Sequence, residues 1–214
     1  MTFTCNYFND ANVGHNLKSL AMTNMIAYNR FSSTSQGTVG STASGQPSYE
    51  IDLPNAGSSY VIGNVIEQPS PNQDPGMLAY GEEGATNPGK DLYVINNTFL
   101  NDDSSRGTFV LVGDSVTTAV RLQNNIFAGI GQMSNQVSAV DKTNYRSVAP
   151  GFVNRAAYDL RPTPNALLIN AGSLLGKPAS GVSLQPGAVY RHRASGTTRL
   201  NQGAIDIGAY EAGQ

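Results

Sequence analysis

Four side chains of this 214-residue chain could do acid/base chemistry if the fold gathered them: Lys18, Asp52, Glu50 and Tyr80. A lysine can take a proton or neutralise a carboxylate, a phenol can give a proton, and two carboxylates at a suitable separation can cleave a glycosidic bond. They sit in short alternating runs far apart in sequence: Asn16-Leu17-Lys18-Ser19, Glu50-Ile51-Asp52-Leu53 and Leu78-Ala79-Tyr80-Gly81. With Leu17, Ile51, Ala79 and Leu111 facing inward, Lys18, Asp52, Tyr80 and Val112 form one outward column. Asn16, Glu50, Leu78 and Val110 form its neighbour. Stacked strands lie about 4.8 Å apart, so Lys18, Asp52, Glu50 and Tyr80 would share a patch. His15, Asn16 and Glu82 would flank it as substrate-binding groups, although His15 shares the inward parity of Leu17 and also suits a structural role. Glu82 and Glu83 add carboxylates for a hydrolase. Asp52, Glu50 and Glu82 offer oxygen ligands for calcium. The competing expectation is a Lys18–Asp52 ion pair on a solvated sheet, with no chemistry attached.

The elements that must position these residues are announced by a repeat. An asparagine followed two residues later by a large apolar residue occurs five times: Asn6-Tyr7-Phe8, Asn29-Arg30-Phe31, Asn64-Val65-Ile66, Asn97-Thr98-Phe99 and Asn125-Ile126-Phe127. The intervals are 23, 35, 33 and 28 residues. Each copy ends a β-rich run, and the runs carrying Lys18, Asp52 and Tyr80 lie between copies. At least two strands per repeat, joined by a bend near asparagine, predict an all-β parallel solenoid of about five coils. Asparagine suits the bend because it tolerates left-handed backbone geometry and can bond to its equivalent in the next coil. Residues 1–131 are read as the coils. Residues 132–214 are read as an irregular final coil and capping region of the same domain, with Ile205-Asp206-Ile207-Gly208-Ala209-Tyr210-Glu211 as one last strand. Ser32 to Ser48, Pro69 to Gly76 and Glu83 to Lys90 read as loops that wall a groove.

Composition narrows the function classes. Charged residues make up only 13% of the chain and the formal net charge is -2, so no basic excess supports nucleic-acid binding. The apolar runs are too short to span a bilayer. A single cysteine, Cys5, leaves no intramolecular disulfide and no cysteine-based zinc site. Gly113-Asp114-Ser115 has the composition of a serine-hydrolase start, but no histidine is placed beside it, and His192 between Arg191 and Arg193 reads as a solvated tail. Met1-Thr2-Phe3-Thr4 enters a strand pattern at once, without a signal peptide. No polar cap precedes Asn6, which predicts a cover for the first coil: further coils or a second copy of the chain.

The repeats resemble those of right-handed parallel β-helix proteins, and Asp206-Ile207-Gly208-Ala209-Tyr210-Glu211 resembles the ending common in their bacterial secreted members. Lys18-Ser19, Asn24-Met25-Ile26-Ala27-Tyr28-Asn29-Arg30-Phe31 and Val61-Ile62-Gly63-Asn64 resemble the alginate lyase and chondroitinase-B-like polysaccharide lyases. The resemblance implies a polysaccharide substrate, β-elimination and an extracytoplasmic setting, with Lys18 matching the catalytic base. In that family an arginine on the next coil is the acid; here Asp52 stands in its place. Two other expectations stand beside the lyase: a glycoside hydrolase using a carboxylate pair, and a non-catalytic glycan-binding or structural module.

Overall fold

The computed structural model describes residues 1–33, 46–164 and 166–214. Most of the loop read between Ser32 and Ser48 therefore lies outside the described residues. The fold is built in layers. The first holds β1 (Thr2–Thr4), β2 (Tyr7–Asn9) and β3 (His15–Lys18). The second holds β4 (Thr23–Ala27), β5 (Arg30–Ser32) and β6 (Tyr49–Leu53), the third β7 (Ser58–Ile62), β8 (Val65–Gln68) and β9 (Gly76–Tyr80). Then come β10 (Leu92–Ile95), β11 (Thr98–Asn101) and β12 (Thr108–Val112), followed by β13 (Arg121–Gln123), β14 (Ile126–Ala128) and β15 (Gln132–Ser134). β16 (Val140–Lys142) and β17 (Tyr145–Ser147) complete the stack. First strands of successive layers form sheet A, second strands sheet B and third strands sheet C, all with parallel pairing. Three parallel sheets of stacked strands are the architecture of a β-helix solenoid. All three sheets carry strands beyond residue 131.

The asparagine repeat works at the turn between sheets A and B. Asn6, Asn29, Asn64, Asn97, Asn125 and Asn144 form one ladder. From Asn6 to Asn125 the backbone N–H and Nδ2 both donate to Oδ1 of the next asparagine, at 2.8–3.1 Å. Nδ2 of Asn29, Asn64, Asn97, Asn125 and Asn144 also reaches back to the carbonyls of Phe3, Ile26, Val61, Val94 and Leu122. The left-handed residue is not the rung itself but the one before it: Cys5, Tyr28, Gly63, Asn96, Asn124 and Thr143 have φ between 52° and 65°. That single residue turns the chain from one sheet to the next, and the rung then fills its side-chain bonds inside the stack. A buried amide left unpaired costs about 1–3 kcal/mol, so each rung depends on its neighbours.

The core lies between the sheets. Phe3, Ile26, Val61, Val94 and Leu122 are in register along sheet A, and Phe8, Phe31, Ile66, Phe99 and Phe127 along sheet B. Leu17, Ile51, Leu78 and Val110 close the core from sheet C.

After Ser147 the chain turns back along the flank. β18 (Phe152–Asn154) and β19 (Asp159–Pro162) form one hairpin, and β20 (Ala188–Arg191) and β21 (Ser195–Thr198) another. Tyr158, Leu160, Leu168, Val189 and Tyr210 cluster with Val65, Leu100 and Ile126, and Leu175 and Leu184 with Tyr60, Ile62 and Ile95. The segment 205–211 is buried but is not the strand its alternation predicts. Asn96 donates to the carbonyls of Asp206 and Gly208, while Ala209 N–H donates to Thr98 Oγ1. Arg199 binds Glu211 and the carbonyls of Asp206, Gly208 and Tyr210. Side-chain and turn partners thus take the bonds a ladder would have used.

Candidate functional site

The outward face of sheet C carries the site, but with a membership different from the one alternation predicts. Along this sheet the alternation breaks. Met77 and Leu78 both lie in the core, as do Phe109 and Val110, and the Phe109 ring packs 5.1 Å from Phe127. Two consecutive residues therefore face inward in β9 and β12, while in β3 and β6 the first of the two positions holds Asn16 or Glu50, turned to the corner, and the residues flanking the two positions face outward together. His15 and Lys18, three residues apart, consequently meet over one carboxylate.

That carboxylate is Asp52. Lys18 and Asp52 are register partners, with Lys18 Nζ 3.0 Å from Asp52 Oδ2. His15 Nε2 lies 3.3 Å from the same oxygen. Lys18 also donates to Glu83 Oε1 at 2.6 Å. Asp52 is almost fully covered, with 3% of its side chain exposed, while Lys18 and Glu83 remain open to solvent at 39% and 59%. Bonds to Glu83 and then Asp52 raise the Lys18 pKa, so Lys18 holds its proton through the neutral range. His15 stacks on Tyr49 at 5.2 Å and 7°, and its buried Nδ1 has no hydrogen-bond partner. The Tyr49 hydroxyl donates to Asp74 Oδ2 at 3.3 Å; burial and then the Asp74 charge push it up to about 12. Glu82 is raised by partial burial first and then by the charges of Asp114, Asp74 and Asp52.

Tyr80, Glu50 and Asn16 leave this patch. The register pairs Asp52 with Ala79 and Leu53 with Tyr80, one residue away from the expected alignment. A one-residue slip reverses the face. Tyr80 accordingly points inward, fully buried, its hydroxyl donating to the Gly57 carbonyl at 2.7 Å. Glu50 is buried at the corner between sheets B and C, where Asn16 Nδ2 donates to its Oε2 and Ser33 also bonds it. Asn16 is committed to Glu50, Ser33 and the Ala11 N–H rather than to a substrate. The calcium set of Asp52, Glu50 and Glu82 is therefore not assembled. Among the described residues no group of three acidic, histidine or cysteine side chains is arranged to hold a metal ion.

Compared with family models, curated proteins and solved structures, this chain matches none. What the site can do must be argued from its own groups.

Sequence reasoning missed Asp74, whose position in the Pro69–Gly76 insertion beside sheet C was the available clue. Tyr49 is one of several tyrosines able to stack on sugars; its register with His15 singles it out. Gly113-Asp114-Ser115 is a turn of close backbone approach. A Cβ on Gly113 would stand 2.2 Å from the Gly81 carbonyl oxygen, which accounts for glycine there without any catalytic motif. No helix among the described residues is long and apolar enough to cross a membrane.

Proposed function

We propose that this chain is a right-handed parallel β-helix that binds and processes a polysaccharide on the outward face of sheet C, in an extracytoplasmic setting. The observation that carries this reading is Asp52, a nearly covered carboxylate that gathers Lys18 and His15 on the surface of the stack. Burying a carboxylate costs free energy unless it is paired, so both partners are held in place by it. Tyr49 supplies an aromatic wall at the same spot, and the Pro69–Gly76 and Glu83–Lys90 loops border the face.

The electrostatics favour hydrolysis of a neutral chain. Asp52, Asp74, Glu82, Glu83 and Asp114 outnumber Lys18, and an excess of carboxylates repels a uronate polymer. Glu82, with its raised pKa, suits the proton donor to the leaving oxygen. Asp52 and Glu83, bridged by Lys18 at 3.0 and 2.6 Å, supply the second carboxylate. A second reading, β-elimination, rests on the Lys18-Ser19 resemblance. There Lys18 would act as the cation facing the uronate carboxylate rather than as the base, because Glu83 and Asp52 keep it protonated.

One assay separates these readings. The protein is incubated with neutral and uronate-containing polysaccharides, and reducing ends are followed together with the ultraviolet absorbance of unsaturated products. Reducing ends without absorbance, lost in Glu82→Gln, are expected. New absorbance lost in Lys18→Ala would favour elimination. Retention on a glycan column without product would leave a binding module, and neither product nor retention would overturn the proposal.

A further inference from the structure

The last layer of the stack has β16 in sheet A and β17 in sheet B, and among the described residues no strand stacks on β15 in sheet C beyond β12. The chain leaves the stack after Ser147 and runs back along the flank. At the turn from sheet B to sheet C, where the last two layers meet, a solvent-open cavity of about 320 Å³ is lined by Gly129, Ile130, Arg146, Ser147 and Val148. Its walls are tied in place. Gly129 N–H donates to the Ser147 carbonyl at 3.1 Å, Ala149 N–H donates to Ser147 Oγ at 3.0 Å, and the Val148 carbonyl accepts from Arg155 at 2.8 Å.

The charge in this cavity is out of place for the fold. Arg146 is the register partner of Phe127, in the sheet B column that carries Phe8, Phe31, Ile66 and Phe99 in earlier layers. A guanidinium thus stands where each earlier layer sets an apolar core side chain. Arg106 and Arg155, on neighbouring turns, each meet a carboxylate, Asp103 at 3.4 Å and Asp102 at 3.2 Å. The Arg146 side chain makes no hydrogen bond or ion pair with a described residue. Beside it Ile130 and Val148 are 44% and 63% exposed and give the cavity apolar walls.

We propose that this cavity binds a small organic carboxylate about the size of one sugar ring. Its carboxylate meets the Arg146 guanidinium, whose parallel N–H donors match two carboxylate oxygens. Its carbon skeleton covers Ile130 and Val148. The volume lies at the lower end of the range for small-ligand cavities, about 300–1,000 Å³, which suits one ring rather than a chain. An inorganic anion would meet the guanidinium and leave both apolar walls uncovered. The site does not depend on the sheet C reading.

Three probes separate the two parts of this recognition: glucuronate, glucose, which has the ring without the carboxylate, and acetate, which has the carboxylate without the ring. Each is titrated while the backbone amides of Gly129, Ile130, Ser147 and Val148 are followed by nuclear magnetic resonance. Glucuronate should shift them saturably, acetate should bind more weakly, and glucose should leave them in place. Arg146→Gln should lower the glucuronate affinity by about tenfold or more, and Arg146→Lys by less. Arg146 is exposed, so both variants should fold, which unchanged amide positions elsewhere would verify. Lys18→Ala should leave the binding unaltered, which separates this site from the outward face of sheet C. No saturable shift with glucuronate, equal affinity for glucose or acetate, or undiminished binding in Arg146→Gln would overturn the proposal.

Discussion

Glu50 and Asp52 stand two residues apart on β6, and their surroundings have opposite chemistry. Asp52 faces outward, where Lys18 and His15 converge on one of its oxygens. Glu50 faces the corner of the stack, where its partners are the neutral side chains of Asn16 and Ser33. The charge acting on it is that of another buried carboxylate, Glu67, and burial first and then Glu67 push Glu50 up to about 8. Its Oε1 has no hydrogen-bond partner. The same functional group is therefore paired on one face and driven toward neutrality on the other. Proximity in sequence to a candidate catalytic residue says little about role on a strand; which face the side chain occupies decides it.

The largest effect that would break this comparison is catalytic. Positioned acid/base groups contribute roughly 10²–10⁴-fold to rate. Asp52→Asn removes the charge that holds Lys18 and His15, and polysaccharide turnover should fall by a factor in that range. Glu50→Gln keeps the shape and the Asn16 bond, and its kcat/KM should stay within about twofold of the original, since it faces the corner and not the outward patch proposed to bind the polysaccharide. Equal losses in the two variants would mean that the corner and the face work as one site.

The next effect is on stability and has a definite sign. The folded Glu50 binds its proton more tightly than the unfolded group, whose ordinary value is 4.5. Stability is therefore full below about pH 4.5 and is lost as the pH rises through about 8. A tenfold change in proton affinity is worth about 1.4 kcal/mol, so the loss is large beside an ordinary surface contribution. Glu67, raised to about 7 by burial against the opposing pull of Arg30, adds a loss with the same sign over a narrower window. Denaturant unfolding of Glu50→Gln and the original chain at acid, neutral and mildly alkaline pH should show the variant gaining relative stability as pH rises. Parallel curves would remove Glu50 from the account.

Much of this is legible in the sequence, and the illegible part has a physical cause. The asparagine spacing marks the turns because each rung must occupy the same place in every layer, so insertions fall elsewhere. Alternation brings Lys18 and Asp52 together correctly, since both lie just after an apolar residue, Leu17 or Ile51, that faces the core. It misplaces Tyr80 because strict alternation does not hold where chains enter sheet C. A pair such as Met77-Leu78 faces inward together, and a period-two count then slips by one residue. The same break explains His15, which parity places inward and the fold places outward against Tyr49. Asp74 sits in an insertion, where no periodicity constrains it. The asparagine rows follow from the repeat, but the left-handed position belongs to the preceding residue, which can be Cys, Tyr, Gly, Asn or Thr and so leaves no common letter to read.

The smallest effect concerns the rim of the outward cluster. Glu83 is more than half exposed, and exposed ion pairs contribute about 0–1 kcal/mol, so Glu83→Gln should leave the unfolding midpoint almost unchanged. Its signature lies in the titration of Lys18. The bond to Glu83 is the largest cause that raises this lysine and Asp52 the next, so removing Glu83 should lower the Lys18 pKa toward 10.5 without reaching it. A nuclear magnetic resonance titration of the Lys18 ammonium in the two proteins reads this directly. In Asp52→Asn the Glu83 bond persists, and the fall should be the smaller of the two. If Asp52→Asn instead produced the larger fall, the covered carboxylate rather than the exposed one would dominate Lys18. The outward face would then resemble the Glu50 corner, with burial rather than solvent-exposed pairing setting its electrostatics.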